Sequence, residues 1–412
     1  MFRKDLTSKE LEIRNFMLML CMTCFATFLA CYQNVVRSYN STMLALSYEY
    51  GFTSRSLLGT IYHVINKILP VNMIDYDMAL LFAQIVTGLF FLFLIYFCYL
   101  CVKNCKEDYI KPCEYIILFF MLFTIATFSA GYNFFRVDLF MIWVSLIAAL
   151  LIIFEKAEWL VVPLSAIGVM FHQGYVFMYF NIILILLIYK FFDAKDDKRR
   201  WKYGILFGLS FLLGSALFLW FEFFSRSNGA SIYEFIKEEA RSLSLNGAYH
   251  TTLLQHEVLG IDLSHTEKGF RVINYVQFPL FTILLTPYIV VGYDFFKSLI
   301  VQGKNWWEKL KYIFVAIGSL TMLPDFILKI DYGRWILTLI IYYAVMILAL
   351  VMMGDRVVEN QLYYTYERLK KKPWIMIFII YPIFFIPLCD VDISTFMQFF
   401  ADQMDEWFLH VY

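Results

Sequence analysis

Apolar runs long enough to cross a bilayer alternate with short charged segments along almost the whole chain. A membrane-spanning helix needs about 20 apolar residues. Such runs fall near 16–34, 78–101, 114–131, 136–154, 203–222, 273–295, 310–324, 335–353 and 374–390. A further stretch, 159–191, is too long for one crossing and carries Pro163, Gly168 and a polar step, His172-Gln173-Gly174, near its middle. Backbone freed at such a step must face protein or a wet cavity, not lipid. The stretch therefore reads as two short spans, 159–171 and 175–191. The pattern predicts an all-α polytopic membrane protein of about eleven transmembrane helices, including this broken pair, built as one integral membrane domain over 1–412. The first apolar run is long and ends in no small-residue cleavage site, which predicts an uncleaved first span.

Composition agrees. The 412 residues are 61% hydrophobic and 20% aromatic, with only 17% charged and a mean hydropathy of +0.65. Soluble domains carry about a quarter charged residues. Zero net charge leaves no electrostatic footprint for nucleic acid. Of the eight cysteines, Cys98, Cys101 and Cys105 have helical spacing but no nearby His, so neither a disulfide framework nor a zinc site is expected.

Lys and Arg counts orient the spans. With the N-terminus in the cytoplasm, the inside segments are 1–15, 102–113, 155–158, 190–202, 296–311 and 354–373, and they hold 23 of the 34 basic residues. The dense short clusters at 190–202 and 368–372 then lie inside, as the positive-inside rule requires. A single crossing through 159–191 would put the first of them outside. The outer segments include two large loops, 35–77 and 223–272, the second with an amphipathic stretch from Ser231 to Leu243.

Ionisable groups at membrane depth are expensive and mark functional sites by default. Here they gather at the outer face. Arg55 lies between Gly51 and Gly59. Arg136 and Asp138 open a span. His172 is the tip of the broken pair. Asp325, Asp331 and Arg334 bracket a later turn, and Arg241, His250, His256, Glu257, Asp262 and His265 lie in the second loop. Simpler readings exist: Arg136 as an interfacial arginine reaching the headgroups, Arg334 paired with Asp331, Arg55 paired with Glu49, and His172 as a helix-break histidine. Convergence of three arginines and a histidine favours a site. Guanidinium forks bind phosphate bidentately and stay charged, and several at one membrane face suit a polyprenyl diphosphate carrying a sugar. Such groups stabilise a departing diphosphate, and the acceptor hydroxyl needs a base such as His or Glu. Arginines can replace a metal in this role. The one Asp-x-Asp placed to hold a metal is Asp75-Tyr76-Asp77, and neither metal nor cofactor is expected.

The segment Tyr132-Asn-Phe-Phe-Arg-Val-Asp138, the hairpin with Glu155-Lys-Ala-Glu158, and Ala166-Ile-Gly-Val-Met-Phe-His172 together resemble the central block of the Wzy/EpsG-type polysaccharide polymerases, GT-C-like membrane glycosyltransferases. In that family an outer-face Arg opens a span and a His follows a helical hairpin. Here Arg136 and His172 are 36 residues apart. Arg334 with Tyr342 and Tyr343 matches a later Arg at the start of a span, and a large outer loop between later spans is shared. The likeness covers 126–191 and, loosely, 325–350. Val137-Asp138 follows the Arg where the family has Gln.

The resemblance implies an enzyme of O-antigen, capsule or exopolysaccharide synthesis. It would polymerise undecaprenyl-diphosphate-linked repeat units at the outer face of the bacterial cytoplasmic membrane, beside a flippase and a chain-length regulator. Its site residues would be His172, Arg136 and Arg334, with Arg55, Asp138, Asp331, Arg241, His250, His256 and Glu257 around the substrate. His172 competes with His250, His256 and Glu257 for the role of base. A GT-C glycosyltransferase using a polyprenyl-phosphate sugar, with its acid from Glu49, Asp75 or Asp77, is the alternative enzyme. A lipid-linked-sugar transporter is the non-enzymatic one, and an O-acyltransferase would rest on His172 alone.

Overall fold

The computed structural model describes residues 7–31, 35–69, 75–128, 134–224, 230–259, 279, 281–328 and 332–382. Among them Asp331, Asp262 and His265 are not found, nor is the 383–390 part of the last predicted span. The described chain is helical, without strands. In order it forms α1 (Ser8–Cys31), α2 (Ser38–Ala45), α3 (Ser56–Ile68), α4 (Tyr76–Asn104), α5 (Ile110–Tyr115), a π-helical stretch (Ile116–Leu122) and α6 (Phe123–Thr127). Next come α7 (Val137–Ile153), α8 (Val161–Phe171), α9 (Tyr175–Met178), α10 (Phe180–Asp193), α11 (Asp197–Phe223), α12 (Ala230–Ser242) and α13 (Thr251–Leu259). The last are α14 (Thr286–Gln302), α15 (Trp306–Ile317), α16 (Leu323–Leu328), α17 (Tyr332–Met352), α18 (Arg356–Lys370) and α19 (Pro373–Ile380).

Five helical stretches among the described residues are long and apolar enough to cross a membrane: Ser8–Leu29, Tyr76–Asn104, Glu107–Ala126, Asp197–Phe223 and Gly333–Met352. Val137–Ile153 and Glu158–Phe171 are shorter apolar helices. The stretch expected as one span at 310–324 is instead α15, a 3-10 turn over Gly318–Met322, and α16. Burial separates centre from periphery. The apolar window of α17 is 78% buried, whereas those of α1 and α11 are 17% and 22% buried. A helix apolar all round and buried belongs in the core, and one apolar but exposed faces hydrocarbon.

The polar step at 172–174 breaks the chain as its sequence suggests. Helix α8 ends at Phe171, and His172 is extended (φ −166°, ψ 128°). The Tyr175 ring folds back onto Gly168, where an added Cβ would lie 2.3 Å from it. The Tyr175 hydroxyl meets Ser145 Oγ at 2.9 Å, and Ser145 in turn donates to the Tyr179 carbonyl at 3.2 Å. Backbone groups and hydroxyls freed by the break thus find partners inside the bundle.

Ion pairs tie the connecting segments into two groups. At one end Glu155 meets Lys190 (2.8 Å), Glu158 meets Lys202, Lys106 meets Glu359, Lys111 meets Glu12 (2.9 Å) and Arg368 meets Asp294 (3.4 Å). There Lys311 also joins Asp193 (2.8 Å) and Asp355 (3.4 Å), and the Tyr312 hydroxyl donates to Asp355 at 2.8 Å. Asp355 caps α18 by accepting from the Val357 and Val358 amides. At the other end α2 packs against α3, α12 and α13, and α3 reaches α12 and α13 through His63–Glu239 and Arg55–Glu257. The described parts of 35–77 and 223–272 therefore form one packed layer. Within the first loop, Gly59 lets α3 close onto the chain after α2: a Cβ there would lie 1.8 Å from the Leu46 carbonyl oxygen.

Two outcomes follow. Gly59→Ala forces α3 off the backbone of residues 44–46, an overpacking of about 1–3 kcal/mol or more, and lowers the thermal midpoint measured in detergent. At the opposite end, burial works against the Asp355 carboxylate, but the Lys311 ammonium and the hydroxyls of Tyr189 and Tyr312 outweigh it and hold the carboxyl below its ordinary value. The stabilisation is fully present above the unfolded-state value of about 3.9 and is lost as pH falls through the lowered folded value. Asp355→Asn therefore lowers the midpoint at neutral pH and shrinks its drop below about pH 4. A variant with an unchanged midpoint would show the cluster to be dispensable.

Candidate functional site

The layer formed by the two loops covers the end of the bundle where α7, α9 and α17 meet. Helix α7 opens with Arg136 at its N-cap, preceded by Phe135 in the left-handed region (φ 63°). Two residues on, Asp138 is fully buried in the first turn, where the helix dipole favours a carboxylate. Arg334, in the first turn of α17, donates from Nε to Asp138 Oδ1 at 2.8 Å, and Arg136 donates from Nε to Oδ2 at 3.2 Å. Two guanidinium groups thus share one carboxylate in a site almost closed to solvent, with side chains 13%, 0% and 7% exposed for Arg136, Asp138 and Arg334. Two guanidinium groups and one carboxylate are thus held together, and burial makes their attraction count for more than it would in water.

A chain of contacts runs from this pair around the layer. The Arg136 guanidinium lies 5.9 Å from the Tyr39 ring, whose edge meets the His250 ring at 5.4 Å. Asn40 donates to the Phe134 carbonyl at 2.6 Å, fixing the turn that presents Arg136. The His250 amide donates to Thr42 Oγ1 at 2.9 Å, and its Nδ1 accepts from the Leu253 amide at 3.1 Å, capping α13. At the far end of α13, buried Glu257 receives Arg55 (3.3 Å) and touches His256 Nδ1 (3.3 Å). Arg55 is the left-handed N-cap of α3 (φ 64°, ψ 0°). Its neighbour Ser54 donates to the Gln173 side chain, next to His172. Helix α9, which follows the break, packs against α17.

These contacts sort the expected residues. Arg136, Asp138 and Arg334 are one unit, and Arg55 and Glu257 are another, linked to it through α13 and through the 172–174 break. The pairing of Arg55 with Glu49 is replaced: Glu49 takes Lys67, whose ammonium donates to it and holds its pKa below the ordinary glutamate value. Arg136, read above also as an interfacial arginine, is tied to the buried Asp138 through its Nε. Arg334 pairs with Asp138, while Asp331 lies outside the described residues. Arg241 stands apart on the exposed face of α12, paired with Glu238 at 2.7 Å and lying 5.2 Å from the Tyr249 ring. Exposed pairs one helical turn apart contribute little.

The histidines acquire distinct chemistry. His172 Nδ1 accepts from the Gly174 amide at 2.8 Å. A neutral imidazole that accepts at Nδ1 carries its proton at Nε2, so in that form the lone pair of the buried His172 ring is committed to the chain. His250 is committed in the same way to the cap of α13. His256 is the converse. Its Nδ1 lies 3.3 Å from the Glu257 carboxylate and its side chain is 43% exposed, an arrangement that, with the proton on Nδ1, leaves the Nε2 lone pair available.

Sequence reading missed Ser54, Gln173, Tyr39 and Asn40, all ordinary polar or aromatic residues whose roles arise only from contacts between distant segments. It also missed the buried pair of His63 and Glu239, 2.9 Å apart, which joins α3 to α12. Their positions on two amphipathic helices were the available signal. Among the described residues no group of three or more His, Cys, Asp or Glu could hold a metal ion. No family model, no curated protein and no solved structure matches this chain.

Proposed function

We propose that this protein is a membrane glycosyltransferase that polymerises polyprenyl-diphosphate-linked oligosaccharides, with its site on the extracytoplasmic face of a bacterial cytoplasmic membrane. The observation that carries the reading is the buried pair of guanidinium groups around Asp138, at one end of an otherwise apolar bundle and beside a broken helix. Asp138 engages each arginine through Nε and so orients both forks. A diphosphate placed against them would meet fixed cations that need no reorganisation as charge develops. The sidedness follows from the Lys and Arg counts, which put the opposite end in the cytoplasm.

In this reaction the acceptor hydroxyl oxygen bonds to the anomeric carbon of the lipid-linked chain. The bond from that carbon to the diphosphate oxygen breaks, and the electron pair leaves with the polyprenyl diphosphate. Arg136 and Arg334 bind the departing charge, His172 donates its Nε2 hydrogen to an oxygen of the substrate, and His256 takes the hydroxyl proton with Glu257 holding its ring. Arg55 fixes Glu257. Asp138 is a positioning residue, since its carboxylate is spent on the arginines.

The test is a ladder of polymer in cells lacking the native gene product, with membrane levels of each variant checked by immunoblot. Arg136→Ala lowers transfer by roughly 10²–10³-fold, and Arg136→Lys stays poor because a point charge cannot reproduce the fork. His172→Gln keeps a ladder because the amide still donates, whereas His172→Ala loses it. His256→Gln abolishes the ladder by removing the proton acceptor, a loss of about 10²–10⁴-fold. A dead His172→Gln beside an active His256→Gln would move the base to His172. Full ladders from all of these variants would leave the transporter reading in place of the enzyme.

A further inference from the structure

On another side of the bundle, α14 leans on α17 and α18 without filling the space between them. A cavity of about 830 Å³ runs there, floored by Ile340 and Ala344 of α17 and walled by Phe120 and Leu285. Its rim is open to the side: Tyr293, Val301, Leu320 and Leu323, which line it, are 50–70% exposed. The groove extends along the bundle from Phe326 and Ile336, near the start of α17, to Tyr366 and Leu369 on α18. Lining it among the described residues there is one charged side chain, Lys297. The Lys297 ammonium lies 5.6 Å from the Tyr293 ring, and Lys370 lies 5.7 Å from the ring of Tyr366 on the opposite wall. Both lysines sit at the end that carries the ion pairs of 106–111, 294 and 355–368. Exposed Trp306, Trp307 and Trp374 belong to the same end, as the aromatic belt of a membrane interface would.

We infer that this groove is a binding site for an anionic glycerophospholipid of the leaflet at that end, with its phosphate at Lys297 and Lys370 and its acyl chains along α17. The polarity of the lining selects the occupant. An amphiphile needs a long apolar slot with a cation at one mouth, and basic pockets between helices bind such headgroups. Among the described lining residues, the opposite mouth, at Leu323, Phe326 and Ile336, is apolar. A polyprenyl diphosphate bound with its charge at Arg136 and Arg334 would enter the slot from that mouth and leave Lys297 without a counterion. The inference rests on the protein lying in a bilayer, not on the polymerase reading.

The experiment is to purify the full-length protein in mild detergent from bacterial membranes and to identify retained lipid by native mass spectrometry. Size exclusion checks that each variant is intact. Wild type retains phosphatidylglycerol or cardiolipin in preference to phosphatidylethanolamine. Lys297→Glu, at an exposed position, lowers that retention roughly tenfold or more. Gly292→Trp fills the groove from a position where a Cβ meets nothing within 4 Å, and lipid is lost while the elution profile is kept. Polymer formation is scored separately, so that a failed polymerase reading leaves this result standing. Retention of no lipid, of phosphatidylethanolamine alone, of a polyprenyl phosphate, or of the anionic lipid unchanged by Lys297→Glu overturns the assignment.

Discussion

Burying a carboxylate is expensive unless cations and hydrogen bonds compensate it, and Asp138 is compensated twice. Arg136 lies two residues away on the same turn, but Arg334 comes from 196 residues further on. The long-range partner makes the pair a constraint on the whole bundle, because α7 and α17 must keep the register that brings the two groups together. Removing one member leaves the others charged and buried, a loss of about 3–5 kcal/mol in such clusters. The turn that presents Arg136 is held by Asn40, and Asn40 belongs to the first loop, so the loop layer and the ion pair support each other.

Much of the architecture is legible in the chain because bilayer physics leaves few options. Apolar length set the helices at 76–104, 197–223 and 333–352, and the polar step at 172–174 marks a real end of a helix. The 310–324 run is different. Its apolar composition suits a span, yet Gly318 admits the Tyr342 hydroxyl within 2.2 Å of where its Cβ would stand, and the chain tightens into a 3-10 turn there. Composition cannot report such close approach. The arginines were legible because a charge at membrane depth has to be explained. Asp138 was visible as an oddity, but its partner across the bundle was not, since nothing in a single sequence links residues 138 and 334.

The division of labour among the histidines was the least legible part. All six have the same unperturbed chemistry, and their roles are decided by which nitrogen already has a neighbour. A backbone amide at His172, a helix cap at His250 and a carboxylate at His256 give the three rings different surroundings. These neighbours are two, three and one residue away in sequence. The information was local, but it depends on turn geometry rather than on residue type.

Arg55 adds a tension of another kind. Its left-handed backbone costs about 1–3 kcal/mol for a residue with a side chain, and glycine or asparagine would occupy the same turn with less strain. Either would also release Glu257, a buried carboxylate, from its cation. Backbone ease and charge balance therefore pull this position in opposite directions. In a search for sturdier variants, residue 55 is where gains in chain conformation are most directly set against the electrostatics of the site.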